Sequence, residues 1–210
     1  MYIPPPFAEQ NVSRLHAFIE QNSFGLLVTR EQGAPVASHL PFLLDRSVGE
    51  RGCLVGHMAR ANPQWKGTAG QMTLVVFSGP HSYISPTWYE APKTVPTWNY
   101  AAVHATGPLE IIEAPGELLD ILHATVARYE GRMPNPWSFD KVDIFIEQMV
   151  QQIVGFRIEI RSLEGKWKLN QNHPAERRKK VIRALRELSD ENSQAIATLM
   201  EETLPHEKRQ

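Results

Sequence analysis

The sequence predicts a β-rich, mainly antiparallel fold, a small barrel with helices packed outside it. Three observations predict it. Short segments of alternating apolar and polar residues recur between close turns. Sixteen Pro and thirteen Gly in 210 residues favour turns and short strands over long helices. No Gly-x-Gly-x-x-Gly follows a strand and no Gly-Lys-Ser/Thr phosphate loop exists, which argues against a doubly wound nucleotide-binding sheet.

The elements follow in order. Residues 8–21 carry Val12, Leu15, Phe18 and Ile19 at helical spacing. A strand over 24–29 and a turn at Glu31-Gln32-Gly33 open a hairpin. Its second arm, 34–44, sets Val36, Ser38, Leu40 and Phe42 on one face and Ala37 and His39 on the other. Pro41 within that arm points to a bulge or a sheet edge. A polar loop over 45–52 leads to a third strand at 53–57, then a loop or short helix over 58–70. Residues 72–78 are nearly all apolar, the pattern of a strand buried on both faces. A long strand over 98–112 is expected to break at Gly107-Pro108. Helices over 116–129 and 140–150 come next, the second with Val142, Phe145, Ile146 and Met149 on one side. Residues 153–163 alternate, with Phe156, Ile158 and Ile160 inward and Arg157, Glu159 and Arg161 outward. Past Asn172 the composition changes. Pro174 suits a first helical turn, Val181, Ile182, Leu185 and Leu188 form a narrow stripe, and a last helix spans about 192–202. The expected organisation is a barrel domain over 1–170 and a helical appendage over 171–210.

Composition excludes several classes. A net charge of −1 gives no overall attraction to nucleic acid or acidic lipid, so either partner must be met by a local patch. One cysteine, Cys53, rules out an internal disulfide framework and suits a reducing compartment. With no basic-then-apolar leader and no run of about 20 apolar residues, a cytoplasmic protein without membrane spans is expected.

The chemistry concentrates in two regions. Gly56-His57-Met58-Ala59-Arg60-Ala61-Asn62-Pro63-Gln64-Trp65-Lys66 leaves a strand and enters a turn. Arg60 offers a bidentate fork, Lys66 a point charge, and Asn62 and Gln64 neutral donors, the set a phosphate monoester wants. A solvated polar turn has the same composition. The second region, residues 75–104, crowds Trp88, Tyr89, Trp98, Tyr100, His81 and His104 among amides. Trp98, Tyr100, Ala102 and His104 share one strand face, opposite Asn99, Ala101 and Val103. Such a mixture suits a flat ring with heteroatoms on its edge, and equally a core face with satisfied polar tips. The four histidines His39, His57, His81 and His104 lack metal-ligand spacing, so no metal is expected, although haem ligation by one of them stays open. Ser38 and His39 are strand neighbours pointing to opposite faces and cannot act as a catalytic pair. No nucleophile elbow is present, and no catalytic residue is assigned. From Lys166 through Glu187, eight Lys or Arg face only Glu176 and Glu187. A basic helix of this kind contacts phosphates of DNA or docks on a partner subunit.

These motifs, with Met1-Tyr2-Ile3-Pro4, Ser38-His39-Leu40-Pro41-Phe42, residues 79–89, residues 95–104 and Lys166-Trp167-Lys168-Leu169-Asn170-Gln171-Asn172, occur in an order that resembles the PaiB family across nearly the whole chain. That family comprises bacterial FMN-binding negative transcriptional regulators and is similar to the FMN-binding split-barrel superfamily. The resemblance implies a split barrel that forms a homodimer with FMN at the subunit interface. It implies that His57, Arg60, Asn62 and Gln64 hold the FMN phosphate and that Ser38 and His39 line the flavin. It further implies that Trp98, Asn99 and Tyr100 border the isoalloxazine, and that Lys168 and Gln171 close the site. Ser82 and Asn170 depart from the residues expected there. Three functions follow from these readings. The first is a repressor contacting DNA through the Arg177–Arg186 helix. The second is an FMN-dependent oxidoreductase taking electrons from a nicotinamide donor, or a haem-handling relative. The third is a flavin-binding interaction protein.

Overall fold

A computed structural model describes residues 1–139 and 144–205. The chain forms two compact units. The larger comprises Val12–Phe77 and His104–Leu163. The smaller comprises Met1–Asn11, Ser78–Val103 and the chain from Glu164 on, so the two C-terminal helices belong with residues 78–103.

The strands are β1 (Ala8–Glu9), β2 (Phe24–Glu31), β3 (Ala34–Pro41), β4 (Leu43–Asp45), β5 (Cys53–Ala59), β6 (Met72–Ile84), β7 (Thr97–Ile112), β8 (Ile153–Glu159) and β9 (Ser162–Lys168). Their order is β3-β2-β6-β7-β8-β5-β4, with β9 pairing β1 and β7. β2–β3, β2–β6 and β5–β8 pair antiparallel, with Leu26↔His39, Leu26↔Val76 and Leu54↔Ile158 in register. The fold class is as the sequence predicts: mainly antiparallel sheet with flanking helices. The β2–β3 turn is a two-residue hairpin whose central residues Gln32 and Gly33 take φ of 50° and 86°. Both values lie in the left-handed region that matches strand twist, and glycine enters it without strain. β3 lies at the end of the strand order, as Pro41 suggests.

In the larger unit, Leu27, Phe42, Leu54, Val75, Phe77, Phe156 and Ile158 form the buried side of the sheet, each at most 1% exposed. Phe42 meets Phe77 and Phe156 edge-on at 5.5 and 5.7 Å, a geometry aromatic quadrupoles favour. Burying each such ring contributes about 1.5–3 kcal/mol. Helix α1 (Val12–Gln21) buries Leu15, Phe18 and Ile19. Helices α2 (Pro115–Glu130) and α3 (Ile144–Val150) share a cluster of Leu118, Ile121, Ile146 and Val150 with Ile112. The expected start of the second helix, including Val142, lies outside the described residues. In the smaller unit, helices α4 (Ala175–Arg186) and α5 (Glu191–Glu202) bury Val181, Leu185, Ile196 and Met200. Asp190 caps α5 by accepting from the Ser193 amide at 2.9 Å.

Four expectations require correction. The segment 8–21 is not helical throughout: Ala8–Glu9 pair with Lys166 and Gly165, and the helix starts at Val12. β6 is not buried on both faces. Thr73, Val75 and Phe77 are inside, while Leu74 and Val76 are half-buried and Met72 is exposed. β7 does not break at Gly107-Pro108. A Cβ at position 107 would stand 2.1 Å from the Glu159 carbonyl oxygen, so the glycine permits two backbones to approach rather than ending a strand. Finally, 153–163 is two strands: Ile160 and Arg161 leave the ladder and donate to the Gly52 and Thr106 carbonyls.

Candidate functional site

The eleven residues expected at the site divide between the two units. Ser38, His39, His57, Arg60, Asn62 and Gln64 belong to the larger unit, and Trp98, Asn99, Tyr100, Lys168 and Gln171 to the smaller.

In the larger unit, β5 delivers the chain into a turn where Asn62 caps the short helix Pro63–Trp65 by accepting from the Gln64 amide at 3.0 Å. The other end of the same side chain donates to Ser38 Oγ at 2.9 Å. Gln64 is buried, and its Nε2 lies 3.1–3.2 Å from Leu27 O, Thr29 Oγ1 and Val36 O. It therefore clamps β2 and β3 to the turn, a positioning role that the sequence reading of a phosphate donor missed. Arg60 donates from Nε to Gln151 O at 2.9 Å and pairs with Glu113 at 2.7 Å. Its remaining N–H groups have no bond among the described residues, so the guanidinium retains a free edge for an anion. His57 is half-buried, with Nδ1 enclosed and without a partner among the described residues, and burial pushes its pKa below the ordinary imidazole value. His39 is exposed and stacks on Phe24 at 6.0 Å.

In the smaller unit, the strand alternation behaves as expected. Trp98 and Tyr100 face outward, Trp98 being 54% exposed, while Asn99 and Ala101 are buried. Tyr83 and His81, also outward on β6, approach the Trp98 ring at 5.9 and 6.2 Å. Lys166 Nζ sits 5.3 Å over Tyr100 and donates to Tyr2 O at 3.0 Å. Lys168 Nζ donates to Thr97 Oγ1 and, at 2.7 Å, to Trp98 O. Burial, assisted by the Lys166 charge, lowers its pKa. Asn99 is fully buried and donates to Met200 Sδ at 3.3 Å, with no partner for Oδ1 among the described residues, so it faces the core. Gln171 is engaged in its own turn with Leu169 N at 2.7 Å and Trp167 O at 2.6 Å.

The basic helix differs from its reading in the sequence. Arg178 is buried and donates to Met200 O and Thr203 Oγ1 at the end of α5, where the last carbonyls favour a cation. Arg186 forks onto Glu201, Lys180 pairs with Glu90, and Lys179 pairs with Glu176. Arg177 and Arg183 make no ion pair among the described residues.

The antiparallel sheet with flanking helices is a split barrel, a fold shared with flavin-binding proteins. Residues 1–162 match the family model described as “Putative FMN-binding domain”, and the chain belongs to that family, within its PaiB branch. It is 38% identical over 206 residues to the Bacillus subtilis protein named protease synthase and sporulation protein PAI 2, covering 97% of this chain and 98% of that one. Among solved structures, the fold is similar to the FAD and heme binding protein from Mycobacterium smegmatis, at a TM-score of 0.60 and 15% identity, covering 77% of this chain and 73% of that one. It is also similar to the flavocytochrome Anf3 from Azotobacter vinelandii, at a TM-score of 0.59 and 14% identity, covering 77% and 69%. No described helix is long and apolar enough to cross a membrane.

FMN is the family's cofactor. Taken unit by unit, the free edge of Arg60 in the larger unit suits a phosphate monoester, and the outward Trp98, Tyr83 and His81 rings of the smaller unit suit a planar heterocycle.

Proposed function

We propose that this protein is a PaiB-like negative transcriptional regulator, a homodimer that holds FMN at its subunit interface. The observation that carries the reading is the outer sheet face of the larger unit. Leu26, Val28, Leu74 and Val76 are half-buried there, with Phe24 67% and Met72 59% exposed. A contiguous apolar face of this kind marks an interaction surface, and a second copy of the chain would cover it. On this reading Arg60 holds the phosphate, in a turn that Asn62 and Gln64 keep in shape. Trp98 and Tyr100 flank the ring system, and Lys168 supplies a donor to its edge. When bound, FMN would supply hydride and electron transfer, and the protein would orient it.

One observation favours the second reading, an FMN-dependent oxidoreductase using a nicotinamide donor. Most cations of α4 are engaged inside the molecule, which leaves Arg177 and Arg183 for DNA. The two readings separate in one experiment on the purified protein loaded with FMN. A salt-dependent retardation of its own promoter fragment supports the regulator. Bleaching of the flavin absorbance by NADH or NADPH, with no retardation, supports the oxidoreductase.

A further inference from the structure

The larger unit contains a cleft of about 610 Å3 that none of the expected flavin residues lines. It lies among the end of α1, β4, β5, α2 and β8. Phe42, Leu43, Leu44, Val55 and Ile121 give it an apolar lining. One face of α2 supplies much of the rest, because Glu117, Asp120, Ile121, Ala124 and Arg128 recur at helical spacing.

The charges of the cleft are four carboxylates, on Glu20, Asp45, Glu117 and Asp120, against three guanidiniums, on Arg46, Arg128 and Arg157. Most are matched. Arg46 forks onto Glu20 at 2.9 and 2.6 Å, and Arg157 donates to Glu117 at 2.8 Å. Asp120 has its own partner. Arg128 is different. It is half-buried, and its one bond among the described residues runs from Nη2 to the Glu20 backbone carbonyl at 2.9 Å, near the end of α1. That bond fixes the guanidinium and leaves four N–H donors without a carboxylate. Asp45 is its counterpart. Its Oδ1 accepts from Ser47 N and Ser47 Oγ at 2.9 and 2.6 Å, and among the described residues no cation pairs with it. The Ser47 donors also hold its carboxyl below the usual range, so it stays ionised.

The cleft thus presents one unmatched cation, one unmatched anion and an apolar lining between structural ion pairs. A purely anionic ligand would meet the excess of carboxylates. A purely cationic one would leave Arg128 unanswered. A molecule carrying both charges on an apolar skeleton satisfies each pole. We propose that this cleft binds an apolar amino-acid zwitterion, as the free amino acid or as a short peptide, with its carboxylate on Arg128, its ammonium on Asp45 and its side chain on the Phe42–Val55–Ile121 lining. The site is separate from the flavin residues, and its occupancy does not depend on the proposed regulatory role.

The test is isothermal titration calorimetry on the full chain, with and without FMN. The probes are L-phenylalanine and L-leucyl-L-phenylalanine, with phenethylamine and 3-phenylpropionate as analogues lacking one charge. The expected result is saturable binding of at least one zwitterion, weakened about tenfold or more in each single-charge analogue and in both Arg128→Gln and Asp45→Asn. Which zwitterion binds distinguishes amino acid from peptide. Circular dichroism verifies the folding of each variant, and Asp45→Asn decides the matter if Arg128→Gln does not fold. No saturable binding of either zwitterion overturns the proposal. Equal binding of a single-charge analogue, or undiminished binding in the folded variants, overturns it as well. Loss of FMN binding with zwitterion binding intact would instead count against the flavin assignment alone.

Discussion

Asn62 donates to Ser38 Oγ at 2.9 Å while its own carbonyl oxygen caps the turn through the Gln64 amide, so one side chain joins the edge strand β3 to the turn that follows β5. The residues are 24 apart in sequence. The contact converts two separate candidates for flavin binding into a single local frame. Asn62→Ala removes both bonds. A loss of about 1–2 kcal/mol in urea denaturation is expected, from the cap and the hydrogen bond together. Ser38→Ala removes only one, and a cost under about 1 kcal/mol is expected. If both variants were as stable as the parent, the frame would not exist.

Gly107 gives a sharper test of the fold. An alanine Cβ there would meet the Glu159 carbonyl oxygen at 2.1 Å, with Ile158 at 2.9 Å, and neither the β7 nor the β8 backbone can yield cheaply. Gly107→Ala is expected to destabilise the chain by about 3 kcal/mol or more, on the scale of strong overpacking. Gly116→Ala meets nothing within 4 Å and serves as the control. Thermal melts of the two proteins that coincide would contradict the β7–β8 approach.

The half-buried His57, with its Nδ1 enclosed, predicts an acid-side loss of stability. Burial depresses its folded-state pKa, so the unfolded chain takes up the proton first as pH falls through the ordinary imidazole value of about 6.5. More protons on the unfolded state means falling stability with falling pH, down to the folded-state value. His173, depressed by burial and by the Arg177 charge, acts in the same direction. Above pH 7 the contribution is complete. Denaturation free energies measured between pH 8 and 5 should therefore slope less steeply in His57→Gln than in the parent. An unchanged slope would remove His57 from the account.

Arg60 joins stability to ligand binding. Arg60→Ala is expected to weaken FMN binding by on the order of 2 kcal/mol, by loss of charge-assisted bonds to the phosphate. The ion pair with Glu113 competes for the same guanidinium. Glu113→Gln should accordingly bind FMN at least as tightly as the parent. Fluorescence titration of the two variants checks both statements, and an Arg60→Ala protein with parental affinity would move the phosphate elsewhere.

Much of the fold was legible because period-two alternation and a two-residue turn are local signals. The β2–β3 hairpin, the inward set Phe156, Ile158 and Ile160, and the shared face of Trp98 and Tyr100 follow from them directly, while which way that face points does not. What was illegible depends on distant backbone. Gly107 looks like a break until β8 is seen beside it. The turn of chain at Ile160-Arg161 is hidden because the apolar alternation runs through it. The outer side of β6 reads as buried because Met72, Leu74 and Val76 are as apolar as the core residues beside them. At the site, Gln64 has the composition of a ligand donor and the position of a clamp, and Arg178 has the composition of a surface cation and the position of a buried cap. The cleft at Arg128 was missed altogether, since its lining comes from five elements. The mixed stripe Glu117, Ile121, Ala124, Arg128 was the one available signal.

Sedimentation velocity with detection at both protein and flavin absorbance tests the proposed FMN-bound homodimer most directly. A single boundary at twice the mass of the 23.8 kDa chain is expected, with flavin absorbance moving in it. A species of single-chain mass, with added FMN left behind in the supernatant, would contradict it.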